Sequence, residues 1–345
     1  LDEPTSALAP SETQKLLTSV QAMARDELAI IPFITHKLPI VLATSHRVTV
    51  LRGGKVTARL ETSSTTEQGL AREMVGREVI FRLERAAVEK GKPILEVRNL
   101  SASSNRGFLA LKDVSFTVHE GEIFGIAGVS GNGQHELAEV LAGLRKPVSG
   151  SVSVDGKDIT HSSSLERWQM GVGYIPAERN EVGSIGDFSL VENMAMNYYF
   201  DDRYARNGVV NYGEIRKLTE AIIADYSVAT PSPDTKARNL SGGNLQKVIL
   251  ARVLARHPRL VIANLPTQGL DVGATEFVQN KLIEAKKAKA AVLLISEDLD
   301  EVLALSDRVA PIYEGKFMGI LPGGEVEREH VGAMMAGARG EGRAP

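Results

Sequence analysis

The 345-residue sequence contains no cysteine, so neither a disulfide framework nor a thiolate metal site is open to it. A reducing compartment fits that absence. No apolar run approaches the about 18 residues a membrane-spanning helix requires, which leaves peripheral association as the route to a bilayer. Strong charge of either sign is also missing. Forty Lys and Arg against 43 Asp and Glu leave a net charge of -3, a balance that calls for no nucleic-acid-binding surface. The chain opens on Leu1, without a methionine and without the charged and then apolar segments of a signal peptide. What is present is ordinary for a globular protein: 43% hydrophobic and 24% charged residues exclude fibrous and low-complexity classes. At about 100 to 200 residues per domain, two domains are expected.

An internal repeat organises the chain. Pro4-Thr5 followed by Leu8 recurs as Pro266-Thr267 followed by Leu270. Arg47-Val48 and Gly54-Lys55 recur as Arg308-Val309 and Gly315-Lys316, and Met74-Val75-Gly76 as Met335-Ala336-Gly337. Two related modules follow from this. The stretch from Val97 to Leu260 has no counterpart ahead of Leu1, so the first module is expected to lack its earlier part. Residues 1–82 read as the tail of module one, 83–93 as a charged linker, 94–337 as module two and 338–345 as a Gly/Arg-rich tail.

Within module two, Leu95 to Leu100 and Val114 to Val118 alternate with the period of half-buried strands. The apolar runs Ile123 to Ala127, Leu260 to Ala263 and Ala291 to Ile295 predict strands buried on both faces. Helical stretches separate them, His135 to Leu144 among these. The predicted fold is therefore α/β with a mainly parallel sheet.

Gly128-Val129-Ser130-Gly131-Asn132-Gly133-Gln134-His135 lies between the first buried strand and that helix. Its glycines are spaced as in the phosphate-binding loop G-x-x-x-x-G-K-[ST], whose backbone N–H groups and following helix N-terminus face an anion. Gln134 stands where a lysine reaches the outer phosphates, and His135 where a hydroxyl meets magnesium. A neutral amide supplies no cation, and a glycine-rich turn taken alone is equally a structural turn. Asn239-Leu240-Ser241-Gly242-Gly243-Asn244-Leu245-Gln246-Lys247 is far more specific. Ser241, Gly242 and Gly243 precede a predicted helix and offer a hydroxyl, N–H groups and a helix dipole to a phosphate. The simpler alternative is a helix capped by Ser241.

The last segment resembles the signature of ATP-binding-cassette proteins, and with the phosphate loop it implies a P-loop cassette. Such a fold has a mainly parallel core, an antiparallel β subdomain and a helical signature subdomain, and ATP and Mg2+ are the implied cofactors. Cassettes also carry a strand ending in Asp-Glu-Pro-Thr. Module one has Asp2-Glu3-Pro4-Thr5, followed by Ser6-Ala7-Leu8 and, after an apolar run, by Ile34-Thr35-His36. By resemblance Glu3 is the catalytic base, Asp2 the carboxylate that holds magnesium through water, and His36 the γ-phosphate sensor. An isolated acidic dipeptide would be read as a solvated pair; the repeat and His36 argue otherwise. Module two has Asn264-Leu265-Pro266-Thr267 in that place, Glu297 in place of the histidine, and Ala177 where a glutamine links nucleotide to a membrane partner. Glu297-Asp298 is better explained as an acidic helix start than as a new acid-base pair.

Cassettes of this family pair head to tail, so the resemblance implies two unlike sites. One combines Asp2, Glu3, His36 and a phosphate loop outside this chain with Ser241, Gly242 and Gly243, and is the hydrolytic one. The other is built on Gly128, Gly131, Asn132, Gly133, Gln134, His135, Asn264, Leu265 and Glu297, and is expected to bind nucleotide with little turnover, since one lost electrostatic stabiliser costs about 10²- to 10³-fold in rate. The arrangement is similar to the duplicated ATPase subunits of bacterial simple-sugar and nucleoside importers. Gly125 to Gln134, Gln268 to Ala274 and Ile295 to Glu301 favour the nucleoside branch. The implied partners are two transmembrane permeases and, indirectly, an external binding protein, at the cytoplasmic face of the membrane. Soluble tandem cassettes that act on ribosomes or nucleic acid are the competing class, with a non-hydrolytic regulatory cassette as a third; the short, mixed-charge linker lacks the basic segments of the former. Two details depart from the pattern. Pro32 interrupts the run Ile30 to Thr35, which is expected to be a central strand, and His46 stands opposite Asp307. A module lacking its earlier strands is also expected to expose apolar surface. Phe108 is the candidate for stacking on adenine, although a core aromatic is the simpler expectation.

Overall fold

A computed structural model describes residues 1–5, 10–26, 29–77, 88–324 and 326–338. Ser6, Ala7 and Leu8 of the first motif, residues 83–87 of the expected linker and residues 339–345 of the expected tail lie outside the described residues. The backbone divides into two compact units, one of Leu1–Arg82 with Gly269–Phe277 and the other of Leu83–Gln268 with Val278–Pro345.

The smaller unit holds α1 (Pro10–Arg25), α2 (Leu38–Thr44), the hairpin of β1 (Arg47–Arg52) and β2 (Lys55–Glu61), and α3 (Glu67–Val75). Gly53 and Gly54, at φ 57° and 75°, supply the left-handed pair that so tight a hairpin requires. Leu38, Val41, Val50, Leu70 and Ala71 form its small core. The run Ile30 to Thr35 makes no strand; only Ile34 pairs, as a single parallel bridge to Asp2. Pro32 has no N–H to give a ladder, and its carbonyl accepts from the Leu1 amine at 3.0 Å. Ile30 is 97% exposed and Ile34 65%.

The strands of the larger unit are β3 (Pro93–Ser103), β4 (Leu109–His119), β5 (Ile123–Ala127), β6 (Ser149–Val154), β7 (Lys157–Asp158), β8 (Val172–Ile175), β9 (Ala205–Arg206), β10 (Val209–Val210), β11 (Leu260–Asn264), β12 (Ala291–Ser296), β13 (Arg308–Tyr313), β14 (Lys316–Phe317) and β15 (Leu321–Pro322). Its α-helices among the described residues are α4 (Gln134–Ala142), α5 (Ser164–Gln169), α6 (Leu190–Tyr198), α7 (Tyr212–Asp225), α8 (Gly242–Leu254), α9 (Val272–Lys287, of which residues 278–287 belong here), α10 (Leu299–Leu305) and α11 (Arg328–Met335). The main sheet runs β14-β13-β5-β12-β11-β8, and β13, β5, β12, β11 and β8 are parallel. Every residue of β5, β11 and β12 is buried, as their unbroken apolar runs predict.

A second, antiparallel sheet runs β4-β3-β6-β7 and contains the two alternating segments. Phe116 of β4 stacks on Phe124 of β5 at 5.1 Å, so the two sheets share one core. A helical part closes around Val191, Met194, Ile215, Ile222 and Ala251 of α6, α7 and α8. This is the cassette architecture expected of the sequence. Two details change. The helix after the phosphate loop spans Gln134–Ala142 instead of His135 to Leu144, because Gly143 at φ 78° ends it. Phe108 is no core residue: it is 55% exposed at the turn that leads into β4.

Candidate functional site

The carboxyl ends of β5, β12, β11 and β8 lie side by side, the edge where parallel sheets place their ligands. The glycine-rich loop leaves β5 at this edge. Gly133 sits at φ 99° as the N-cap of α4, and a Cβ there would meet the Ala110 carbonyl oxygen at 2.5 Å. Only glycine fits. Gly131, at φ 87°, has nothing within 4 Å of an added Cβ, so the loop is open at that point. Two amides hold it in shape. Asn132 Nδ2 and Gln134 Nε2 each donate to the Val129 carbonyl at 2.9 Å, and Asn132 Oδ1 accepts from the Glu314 N–H at 2.7 Å. Gln134 is buried, and its Nε2 lies 2.5 Å from where a Cβ on Gly128 would sit. The predicted loop residues are thus together, with a neutral amide at the lysine position.

His135 is flanked by carboxylates, with Nε2 3.2 Å from Glu139 Oε1 and Nδ1 3.5 Å from Glu178 Oε1. Asn264 ends β11 buried at 2% exposure. It lies against Tyr174 of β8. Burial pushes that phenol up to about 12; the contact with Asn264 works the other way, while the negative charges of Glu178 and Glu139 act with burial. Ala177, at the glutamine position, is small and apolar, and the adjacent Glu178 is the side chain that reaches toward the loop's helix. Glu297 is exposed. Asp298 caps α10 by accepting from the N–H groups of Asp300 and Glu301, so the acidic pair is a helix start as expected.

The signature residues begin α8. Ser241 is the N-cap, its Oγ accepting from Asn244 Nδ2 at 2.9 Å and from the Asn244 N–H at 3.4 Å. Ser241 and Gly242 are exposed and Gly243 is partly so. The cap leaves these residues open to solvent. Arg179 Nη1 lies 3.4 Å from where a Cβ on Gly242 would sit, which puts a guanidinium beside this loop.

In the smaller unit Glu3 and His36 are brought into contact. Glu3 Oε1 accepts from the His36 N–H at 3.0 Å and lies 2.8 Å from His36 Nδ1, while Thr35 Oγ1 donates to Glu3 Oε2 at 3.2 Å. Asp2 is exposed beside them. The backbone at Glu3 and at Leu265 takes the same local form. Glu3 and Leu265 both take a left-handed conformation, φ 42° and 46°, and each donates its N–H to the matching isoleucine carbonyl, Ile34 at 2.9 Å and Ile295 at 2.8 Å. Such strain in a non-glycine residue is a hallmark of functional positions.

Sequence reasoning missed Glu178, Glu139 and Tyr174. The signal for Glu178 was a carboxylate one residue beyond the motif position. Among the described residues no cluster of three or more His, Cys, Asp or Glu could hold a metal ion by itself, and no helix is long and apolar enough to cross a membrane.

Comparison with known proteins gives concordant similarities. Residues 111–268 match the ABC transporter family. The chain is 44% identical over 339 residues to the glucose import ATP-binding protein TsgD13 of Haloferax volcanii, covering 98% of this chain and 62% of that one. It is 42% identical over 337 residues to the guanosine import ATP-binding protein NupO of Bacillus subtilis, covering 98% and 66%. To the ribose import ATP-binding protein RbsA of Bacillus subtilis it is 30% identical over 339 residues, covering 98% and 67%. The chain thus spans under two thirds of the length of the first two. In fold it is similar to a nucleotide-free ATP-binding cassette from an ABC transporter, with a TM-score of 0.58, 24% identity and coverage of 68% of this chain and 92% of that chain.

Proposed function

The chain belongs to the ABC transporter family of ATP-binding proteins, and from that premise we propose that it is part of an importer's ATPase subunit, coupling ATP binding and hydrolysis to uptake of a sugar or nucleoside. The observation that carries this reading is the pairing, in one unit, of an open glycine loop after a fully buried strand with an exposed Ser-Gly-Gly at the start of α8. The first offers N–H groups to the phosphates of one nucleotide. The second offers a hydroxyl and a helix N-terminus to the γ-phosphate of another.

The two modules then have unequal roles. Glu3, held by His36 and Thr35, is the base that polarises the attacking water; His36 carries the contact to the γ-phosphate, and Asp2 is the residue that would hold Mg2+. The exposed carboxylate of Asp2 fits that task. Mg2+ supplies charge neutralisation of the phosphates when bound. At the corresponding place in module two the buried Nδ2–H of Asn264 does not fit a cation, and Gln134 adds no positive charge. Module two therefore retains nucleotide without turning it over. Phe108 is our candidate for stacking on a base, and its exposure two residues from the Ala110 carbonyl that packs on Gly133 supports that. The shared backbone strain of Glu3 and Leu265 supports the duplicated origin of the two modules.

Two membrane permeases, an external binding protein and the inner membrane face follow as partners and place. Names of relatives include both sugar and nucleoside importers, and the Gly125 to Gln134 segment leads us to favour nucleosides. The test is co-purification of the intact subunit with a polytopic membrane protein, followed by ATP-driven uptake of labelled guanosine, ribose or glucose into vesicles holding both. Recovery with ribosomes or RNA in place of a permease would overturn the transport reading.

A further inference from the structure

Glu178 has no part in the account so far, yet it is the carboxylate nearest the helix that follows the phosphate loop. We propose that Glu178 holds the divalent cation of the nucleotide bound by module two, in place of the strand-end position that Asn264 fills. This rests on the reading that the Gly128–Gly133 loop carries a nucleotide's phosphates.

Three features point to it. The usual cation positions are unsuited: Asn264 is a neutral amide whose buried Nδ2 presents a donor, and His135 offers nitrogen where a hard cation takes oxygen. Glu178 Oε1 lies 3.5 Å from His135 Nδ1, which sets the carboxylate beside the first turn of α4. Its Oε2 is shielded from solvent and has no hydrogen-bond partner, an acceptor that a cation would satisfy. Glu139, the other carboxylate here, is already engaged, with Oε2 accepting from Arg145 at 2.7 Å and Oε1 at 3.2 Å from His135.

The backbone that carries Glu178 is held in a turn. The N–H groups of Val182 and Gly183 both donate to the Glu178 carbonyl at 2.9 Å, and Ser184 Oγ donates to the Arg179 carbonyl at 2.8 Å, closing a tight turn. Mg2+ needs no protein cage: one or two carboxylates with the phosphates and several waters suffice. A single carboxylate therefore meets the need where no three-residue cluster exists among the described residues.

The experiment is calorimetric titration of the 345-residue chain with ATP, once in excess Mg2+ and once in EDTA, for the parent and for Glu178→Gln. A cation-holding carboxylate attracts Mg·ATP and repels the free anion. Glu178→Gln is therefore expected to weaken Mg·ATP about 10-fold or more, the worth of one charge-assisted contact, while metal-free ATP binds as well or better. With Mn2+ in place of Mg2+, the electron paramagnetic resonance spectrum of the bound Mn·ATP should change in the variant. Equal Mg·ATP affinity in both proteins would overturn the proposal. So would weakening of both nucleotide forms together, the result of a structural role. If the parent binds neither form, the nucleotide reading itself fails and this inference with it.

Discussion

Replacing Gln134 by lysine should strengthen nucleotide binding and destabilise the empty chain, and the opposite signs make the substitution informative. Gln134 is 7% exposed and donates to the Val129 carbonyl at 2.9 Å, a bond that a lysine ammonium can also make. An ammonium about 4 Å from a phosphate oxygen gains about 4 kcal/mol at an effective dielectric near 20. Side-chain ordering costs up to about 2 kcal/mol, and desolvation takes a further share. A net gain of about 1.4 to 3 kcal/mol corresponds to roughly 10- to 100-fold in affinity. Without nucleotide the buried ammonium has a carbonyl but no counter-charge, which costs about 1 to 2 kcal/mol and lowers the melting temperature by about 2 to 8 °C. Thermal melts with and without saturating ATP read both effects on one sample. Unchanged ATP affinity in a folded Gln134→Lys chain would refute the view that this loop faces phosphates.

Gly133→Ala should be poorly tolerated, since φ is 99° and the new Cβ would lie 2.5 Å from the Ala110 carbonyl oxygen; a loss of about 2 to 4 kcal/mol in urea unfolding is expected. The Glu3–His36 pair is about one third exposed, so His36→Ala should shift stability by under about 1 kcal/mol, and a larger loss would recast the pair as structural. Glu122 is fully enclosed. Burial works to raise its carboxyl, but Arg308, the His119 N–H and Lys90 overcome this and hold it below the ordinary carboxylate value of 4.5. A depressed folded-state pKa stabilises above the unfolded value and loses that stability as pH falls through the folded one. Glu122→Gln should therefore cost about 3 kcal/mol near neutrality, and the gap in urea midpoint from the parent should shrink as pH drops below about 4.5. A gap that stays constant down to acid unfolding would count against the ion pair as its cause.

Much of the fold was legible because its signals are local. β5, β11 and β12 are unbroken apolar runs, and burial on both faces of a parallel sheet demands that pattern. The glycine loop and the signature were legible because backbone chemistry restricts which residues can stand there. What escaped is set by distant contacts. Lys286, buried at 1% exposure, is tied to Asp307, which in turn accepts from the Ile123 N–H at the start of β5. No spacing announces such a link. Glu178 was passed over because the motif position is Ala177, and only the fold turns the next side chain toward His135. Ile30 to Thr35 looked like a central strand, but a strand is a property of its neighbours, and among the described residues Asp2 alone forms a β-bridge to it. Phe108 was expected in the core by its type, yet the turn before β4 holds it outside.

The central claim is that module two is a nucleotide-retaining site without hydrolytic competence. It is tested most directly by incubating the purified chain with ATP and Mg2+, isolating the complex and identifying the nucleotide it carries. Intact ATP at about one per chain is the predicted result, with turnover far below the roughly 1 s⁻¹ typical of enzymes. Recovery of ADP, or turnover at that rate, would contradict it.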